Sequence, residues 1–263
     1  MTIINNEIID TTLFISLNNT KTRNSMIPGF HDQMQSSIKK GEENTSVSSI
    51  IIYGEGNFFC AGGDLNGLKK RRDMSIEERF NTLDQLNNTI SCIRECSKPT
   101  IAAVEGGAAG AGVSLAMACD FLIMAEDAFF SLAYVKIGLT PDGGVTKLLA
   151  EALPKQVLSE MSLLGDRIFA DQLNKYGMIN AMTRKSLVKN ESIEFSKKFE
   201  NSPYNSMKRI KILNREAYKN NFSDQMKLEA ELMVESQGEK ESMEGIDAFL
   251  EKRSVDFKKL RKR

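Results

Sequence analysis

Residues 98–120 read KPTIAAVEGGAAGAGVSLAMACD. TIAAV (100–104) has the look of a buried strand. It runs into a glycine–alanine turn, and after Gly110 the chain reads as an apolar helix. Small residues in such a turn let backbone N–H groups face a ligand with no side chain in the way. The N-terminal amides of the helix point at whatever sits in front of it, and the helix dipole favours an anion there. A stretch of the same design lies about fifty residues earlier, IIIYGEGNFFCAGGDL (50–65). Two such turns, converging, offer two N–H groups to one oxygen, which a single turn does not. Tight helix–strand packing explains either turn taken singly. Neither turn fits other glycine signatures. GGAAGAG is not G-x-x-x-x-G-K-[ST], the glycines are not spaced G-x-G-x-x-G, and GVSLA falls short of G-x-S-x-G.

Outward from these turns, LFISL (13–17), SSIIIY (48–53) and FLIMA (121–125) read as further buried strands. Helical patterns lie between them. One spans 28–41, with Pro28 in its first turn, and another spans 75–95, opened by Ser75 with Glu78 three residues later as a capping box. Alternating strands and helices predict an α/β layered core. From about residue 154 helical patterns dominate: 154–163, 170–176, 185–199, 204–220, 223–238 and 244–252. The expected division is an α/β core over 1–200 and a helical region over 201–263.

The 263 residues are 41% hydrophobic and 27% charged, enough for one sizeable core. Lys plus Arg and Asp plus Glu both number 35, so no global charge attracts nucleic acid or an anionic membrane. The four cysteines form no C-x-x-C pair and there is one histidine, His31, so no metal site is expected. Cys60 and Cys119 read as small core residues. The N-terminus lacks the pattern of a signal peptide and no apolar run reaches ~18 residues, which points to a reducing, cytoplasmic setting. FKKLRKR (257–263) is a basic tail, either solvated or in contact with a phosphate.

GLTPDGGV (138–145) sets a lone carboxylate, Asp142, between a proline and two glycines. Turn chemistry with a helix cap is one reading, and a catalytic group is the other.

In this order and spacing, FFCAGGDL (58–65) and KPTIAAVEGGAAGAGVSLAMACDFLIMAEDAFFSLAYVKIGLTPDGGVTKLL (98–149) resemble the crotonase, or enoyl-CoA hydratase/isomerase, superfamily. EGIDAFLEKRSVDF (244–257) is similar to that family's C-terminal helix, and the likeness begins at RNSM (23–26). The resemblance implies an α/β spiral of ββα units with a helical C-terminal trimerisation region, assembled as homotrimers or hexamers. It implies an acyl-CoA thioester as substrate, with coenzyme A part of the substrate and no further cofactor. Two backbone amides, here Gly63 and Ala111, hold the thioester oxygen as an enolate. The backbone at Ala61, Gly62, Asp64 and Leu65 is similar to the family's cradle for the adenine and thioester. Lys21, Arg23 and Lys252 match basic positions that meet phosphates, Lys252 those of a neighbouring subunit.

Hydratases of the family use two glutamates, and here those positions carry Ser114 and Tyr134. Serine is no general base at neutral pH, and tyrosine titrates near ~10. The P-D-G loop together with KRS near the end is most like phenylacetate-pathway isomerases, which rearrange a ring-epoxide phenylacetyl-CoA and shift double bonds. That favours Asp142 as the acting carboxylate, against a wall of Phe130, Leu132, Tyr134 and Ile137 that raises its pKa. A dehalogenase reading needs a histidine, but His31 is placed on a surface helix, and the same scarcity argues against Ser114 as a hydrolase nucleophile. Pocket walls are expected from 66–84 and 130–137, with 66–80 as a mobile charged segment at the entrance. The alternatives are an enoyl-CoA hydratase with relocated acid and base, and a non-catalytic CoA- or RNA-binding protein on the same fold.

Overall fold

The computed structural model describes residues 3–261. Six strands form one sheet in the order β1 (Ile4–Ile9), β2 (Thr12–Leu17), β3 (Ser49–Gly54), β4 (Thr100–Val104), β6 (Phe121–Ala125) and β9 (Ala181–Thr183). β1 and β2 pair antiparallel, and the other neighbours are parallel. Every residue of β2, β3 and β4 is buried. That is why their sequences read as unbroken apolar runs: a parallel sheet covered on both faces leaves no polar side. A smaller sheet joins β5 (Gly107–Ala109), β7 (Phe129–Ser131) and β8 (Arg167–Phe169).

The two sheets are linked by a repeated unit. A strand of the large sheet leads within a few residues to a short strand in the small sheet and then to a helix. β4 leads to β5 and then to α4 (Ala111–Met117). β3 leads to Cys60, which bridges Ala108 of β5, and then to α2 (Leu65–Lys70). β6 leads to β7, a 3-10 turn over Ala133–Ile137 and α5 (Val145–Ala150). Three turns of a ββα spiral thus stack the segment ending at residue 60 beside β5 and β5 beside β7.

α1 (Phe30–Glu43) and α3 (Ile76–Glu95) pack on each other beside this frame. α1 begins two residues later than its sequence pattern, because Gly29 at φ +87° takes the cap and leaves Pro28 outside. α3 carries the expected capping box, with Ser75 accepting from the Glu78 amide and Glu78 accepting from the Ser75 amide. The remaining helices are α6 (Lys155–Leu164), α7 (Ala170–Lys175), α8 (Val188–Ser196), α9 (Tyr204–Glu216), α10 (Phe222–Gln237) and α11 (Lys240–Leu250). The pattern over 185–199 is not one helix: 3-10 turns flank α8 on both sides. The charged segment 66–80 has regular structure. It forms most of α2, a 3-10 turn over Arg71–Asp73 and the start of α3.

The C-terminal helices dock at one end of the large sheet. Lys211 on α9 donates to the Lys98 carbonyl at 2.8 Å and pairs with Asp120, and Tyr204 bonds Ser97. Those partners precede β4 and β6, whereas the glycine turns leave the opposite, carboxyl ends of the strands. The basic tail is tied down as far as it is described. Lys259 and Arg253 pair with Glu244, Lys258 with Glu200, and Arg261 donates to the carbonyls of Phe199 and Ser202. Lys262 and Arg263 lie outside the described residues. Among the described residues no helix is long and apolar enough to cross a membrane.

Candidate active site

The two glycine turns meet backbone to backbone. A Cβ on Gly62 would stand 2.6 Å from the Ala109 carbonyl oxygen and 3.0 Å from the Ala111 nitrogen. A Cβ on Gly112 would stand 2.2 Å from the Cys60 carbonyl oxygen. Only glycine permits either approach, and Gly62 in addition sits at φ +83°. A hydrogen bond from the Ala109 amide to the Cys60 carbonyl, 2.9 Å, fixes the register between the turns. Ala111 is the first residue of α4, where an amide has no acceptor within its own helix. Next to Gly62, Gly63 has open space where a side chain would stand, with Leu68 of α2 the nearest group at 3.8 Å. Gly63 and Ala111 are therefore brought together at the carboxyl ends of β3 and β4, where open α/β sheets bind ligands. Cys60, directly beneath, is no nucleophile: burial pushes its thiol up to about 12.

The first turn is braced by residues 23–26. The Ala61 amide donates to the Arg23 carbonyl at 2.9 Å, and the Met26 amide to the Gly62 carbonyl at 2.8 Å. Arg23 is exposed with its guanidinium over the Phe58 ring, and Lys21 is exposed nearby. Asp64 has a structural task, because its carboxylate caps α2 by accepting from the Gly67 amide at 2.7 Å. Leu65 is exposed. Lys252 is exposed at the end of α11, at the far end of the large sheet, and is not brought to the turns of its own chain.

Asp142 is not a helix cap. α5 begins after Gly144, and no side chain caps it. Instead the Tyr134 hydroxyl donates to Asp142 Oδ1 at 2.7 Å, and the Ser114 hydroxyl donates to the Asp142 backbone carbonyl at 3.2 Å. Gly143 and Gly144, at φ +59° and +70°, turn the chain so that this loop can lie on α4. A Cβ on Gly143 would meet Ser114 Oγ at 3.0 Å and Leu86 of α3 at 3.2 Å. Tyr134 in turn covers Gly110, 3.6 Å from where its Cβ would be. One contact network thus joins Ser114, Tyr134 and Asp142 beside the Ala111 amide.

Burial raises the Asp142 carboxyl above its usual range, while the Tyr134 hydrogen bond and the charge of Arg71 pull it back. Tyr134 is raised far more, by burial and then by the neighbouring Asp142 charge, so its phenol stays protonated. The apolar wall differs from the sequence expectation. Tyr134 touches Asp142, but Phe130 and Leu132 are fully buried core residues and Ile137 is 54% exposed. Leu86 and Leu68 do the walling instead. Leu86 shares a stripe with Ile90 and Ile93 on α3, a signal that reads only as core in the sequence. His31 is not a surface residue. It is half-buried, with Nδ1 3.0 Å from the Thr89 hydroxyl of α3, and burial and Arg71 both lower its pKa.

The family model for Enoyl-CoA hydratase/isomerase matches residues 7–261. The chain belongs to the enoyl-CoA hydratase/isomerase family. It is 30% identical over 250 residues to the 1,2-epoxyphenylacetyl-CoA isomerase of Escherichia coli (strain K12), covering 92% of this chain and 93% of that protein. It is 29% identical over 247 residues to the 2,3-dehydroadipyl-CoA hydratase of the same organism, covering 94% of each. Among solved structures of the family, an enoyl-CoA hydratase from Polaromonas sp. JS666 superposes with a TM-score of 0.93 at 36% identity, over 96% of this chain and 98% of that one. The ββα spiral and its C-terminal helices are thus the crotonase fold, and enzymes of this family act on acyl-CoA thioesters.

Proposed function

We propose that this member of the family is an enoyl-CoA isomerase that moves a double bond through a dienolate, with Asp142 carrying the proton. The observation that carries the reading is the Ser114–Tyr134–Asp142 contact. The two positions where the hydratases' glutamates are expected hold hydroxyl groups, and both hydroxyls are spent on Asp142. That leaves one carboxylate in the network. The Asp142 carboxylate takes a proton from the carbon α to the thioester and returns it to the γ carbon. Between the two steps, charge rests on the thioester oxygen, and the N–H groups of Gly63 and Ala111 stabilise it there. A carboxyl raised by burial is the stronger base for an α proton. The same shuttle serves a ring-epoxide acyl-CoA, as the name of the 30%-identical isomerase suggests.

Ala61, Gly62, Arg23 and Lys21 would cradle the CoA portion, and no cofactor beyond CoA is required. The exposed apolar residues of α10 and α11, among them Phe222, Phe249 and Leu250, would be covered in a homotrimer or a hexamer. Lys252 would then reach a neighbour's CoA. We assign the protein to the cytoplasm.

The names of the 29%- and 36%-identical relatives favour a second reading, hydration of an enoyl-CoA with Asp142 as the base. Product mass in heavy water separates the two. A 3-enoyl-CoA converted to its conjugated isomer with deuterium at the γ carbon, in wild type and not in Asp142→Asn, is the result expected. Gain of one water without double-bond migration would overturn the isomerase reading, and loss of that gain in Asp142→Asn would identify Asp142 as the base of hydration.

A further inference from the structure

Gly62 and Gly63 share one peptide unit. The unit is planar and trans, so its carbonyl and its N–H point in opposite directions. Fixing the Gly62 carbonyl therefore aims the Gly63 N–H. With glycine on both sides, no Cβ restrains the unit from swinging about its flanking bonds. A single hydrogen bond holds it: the Met26 amide donates to the Gly62 carbonyl at 2.8 Å, where Met26 and Gly63 form an isolated parallel bridge. On the opposite edge of the unit, the Gly63 N–H has no acceptor among the described residues.

The position of Met26 is set two residues earlier. Arg23 and Asn24 both lie in the left-handed region, at φ +53° and +58°. Two such residues in succession, neither of them glycine, persist only where their surroundings over-determine them. Asn24 is 1% exposed, and its own hydrogen bonds supply that constraint. Its side-chain Nδ2 donates to the Glu55 carbonyl at 2.8 Å and to the Phe58 carbonyl at 2.7 Å. It thereby spans the tight turn at Gly56 and Asn57, φ +76° and +59°, from which the first glycine loop departs. Its Oδ1 accepts from the Asn19 amide at 2.9 Å, and its main-chain N–H donates to the Asn19 carbonyl at 2.9 Å. The Cys60 thiol donates to the Asn24 carbonyl at 3.1 Å, and the same sulfur accepts from the Gly62 amide at 3.4 Å. The side-chain amide of Asn24 thus fastens residues 19–26 to both ends of the segment that presents Gly62 and Gly63.

We propose that Asn24 is a positioning residue for the thioester oxygen. Its side-chain amide holds residues 23–26 against the first glycine turn, and Met26 there fixes the Gly62–Gly63 peptide with its N–H toward that oxygen. Without the amide, nothing keeps the left-handed pair in place, and the Gly62–Gly63 peptide is released to turn its N–H away. The proposal rests on the reading that Gly63 and Ala111 bind the thioester oxygen, and it adds the residue that aims one of the two donors. Asn24 touches no reacting atom. Its effect falls on the strength of the hydrogen bond to the carbonyl, the quantity on which stabilisation of an enolate depends.

The test is the carbonyl stretch of hexanoyl-CoA, isotopically labelled at the thioester carbon and read by infrared difference spectroscopy with the protein saturated. Hydrogen bonds to the oxygen lower that frequency, and saturation keeps weaker binding out of the reading. The wild type should lower it relative to the free thioester. Asn24→Gly keeps the left-handed backbone accessible and deletes the amide. Asn24→Asp keeps the shape and the Oδ1 acceptor but has no N–H for the two carbonyls. In both variants most of the shift should be lost. A shift as large as that of the wild type in the folded variants would overturn the proposal, even with a lower Tm, because Asn24 would then support the fold alone. Hydrogen exchange at the Met26 amide of the wild type decides the matter even if neither variant folds. Slow exchange is expected, and exchange at the rate of an open loop would overturn the proposal. Failure of the underlying reading shows separately, as no carbonyl shift in the wild type, which removes the proposal with it.

Discussion

Tyr134→Phe removes one oxygen and leaves the ring that covers Gly110. The lost group is the donor to Asp142 Oδ1 at 2.7 Å, the strongest of the influences that hold the Asp142 pKa down. The burial that pushes it up stays in place. A hydrogen bond to a charged group contributes roughly 1.5–3 kcal/mol. Asp142 is half-buried, so the lower figure applies, and at 1.36 kcal/mol per pK unit the carboxyl should rise by about one unit. The acid limb of kcat/KM, where the base must be ionised, moves to higher pH by the same amount. The assay is initial-rate conversion of a 3-enoyl-CoA to its conjugated isomer between pH 5 and 9. An acid limb at its wild-type pH would refute the reasoning, because the phenol would then not act on Asp142 in solution. A loss of about a hundredfold or more at every pH would mean that Tyr134 itself transfers a proton.

Asp142→Asn should hold or raise stability at neutral pH while abolishing isomerisation. A carboxyl whose folded pKa lies above its unfolded value carries a folding penalty that is absent below the unfolded pKa and present above the folded one. The amide escapes that penalty and still offers an oxygen to Tyr134. A fall in Tm at pH 7 would instead indicate a structural role for the carboxylate. Gly112→Ala forces a methyl group to 2.2 Å from the Cys60 carbonyl oxygen, and should cost about 1–3 kcal/mol, read as a Tm lower by several degrees. An unchanged melt would contradict the close approach of the turns.

The parallel core was legible in the sequence because strands buried on both faces leave unbroken apolar runs, as in IIIY and TIAAV. β1 was not, since INNEII lies at the sheet edge with four of its six residues exposed and carries no such run. β5, β7, β8 and β9 have three residues each, too short for a period to show. At the site, the glycine turns announced themselves by composition, but their contact is tertiary. Asp142 was legible as an oddly placed charge. Its partners were not, because a bond between residues 114, 134 and 142 depends on Gly143 and Gly144 bending the loop onto α4.

The contact of Gly62 and Gly112 with the opposite turn also divides the molecule's capacity to change. The N–H pair is set by main chain pressed against main chain, and no exchange within the contact network of Asp142 can re-aim it without parting the turns. Ser114, Tyr134 and Asp142 come from α4, the 3-10 turn and the loop before α5, and they meet through the Tyr134 hydroxyl on the Asp142 carboxylate and the Ser114 hydroxyl on the Asp142 main-chain carbonyl. On the proposed reading, a new reaction could be installed by replacing those three side chains while the pair of N–H groups stays in place. Chemical variety and fold stability are thus assigned to separate atoms, which lets one vary while the other stands still.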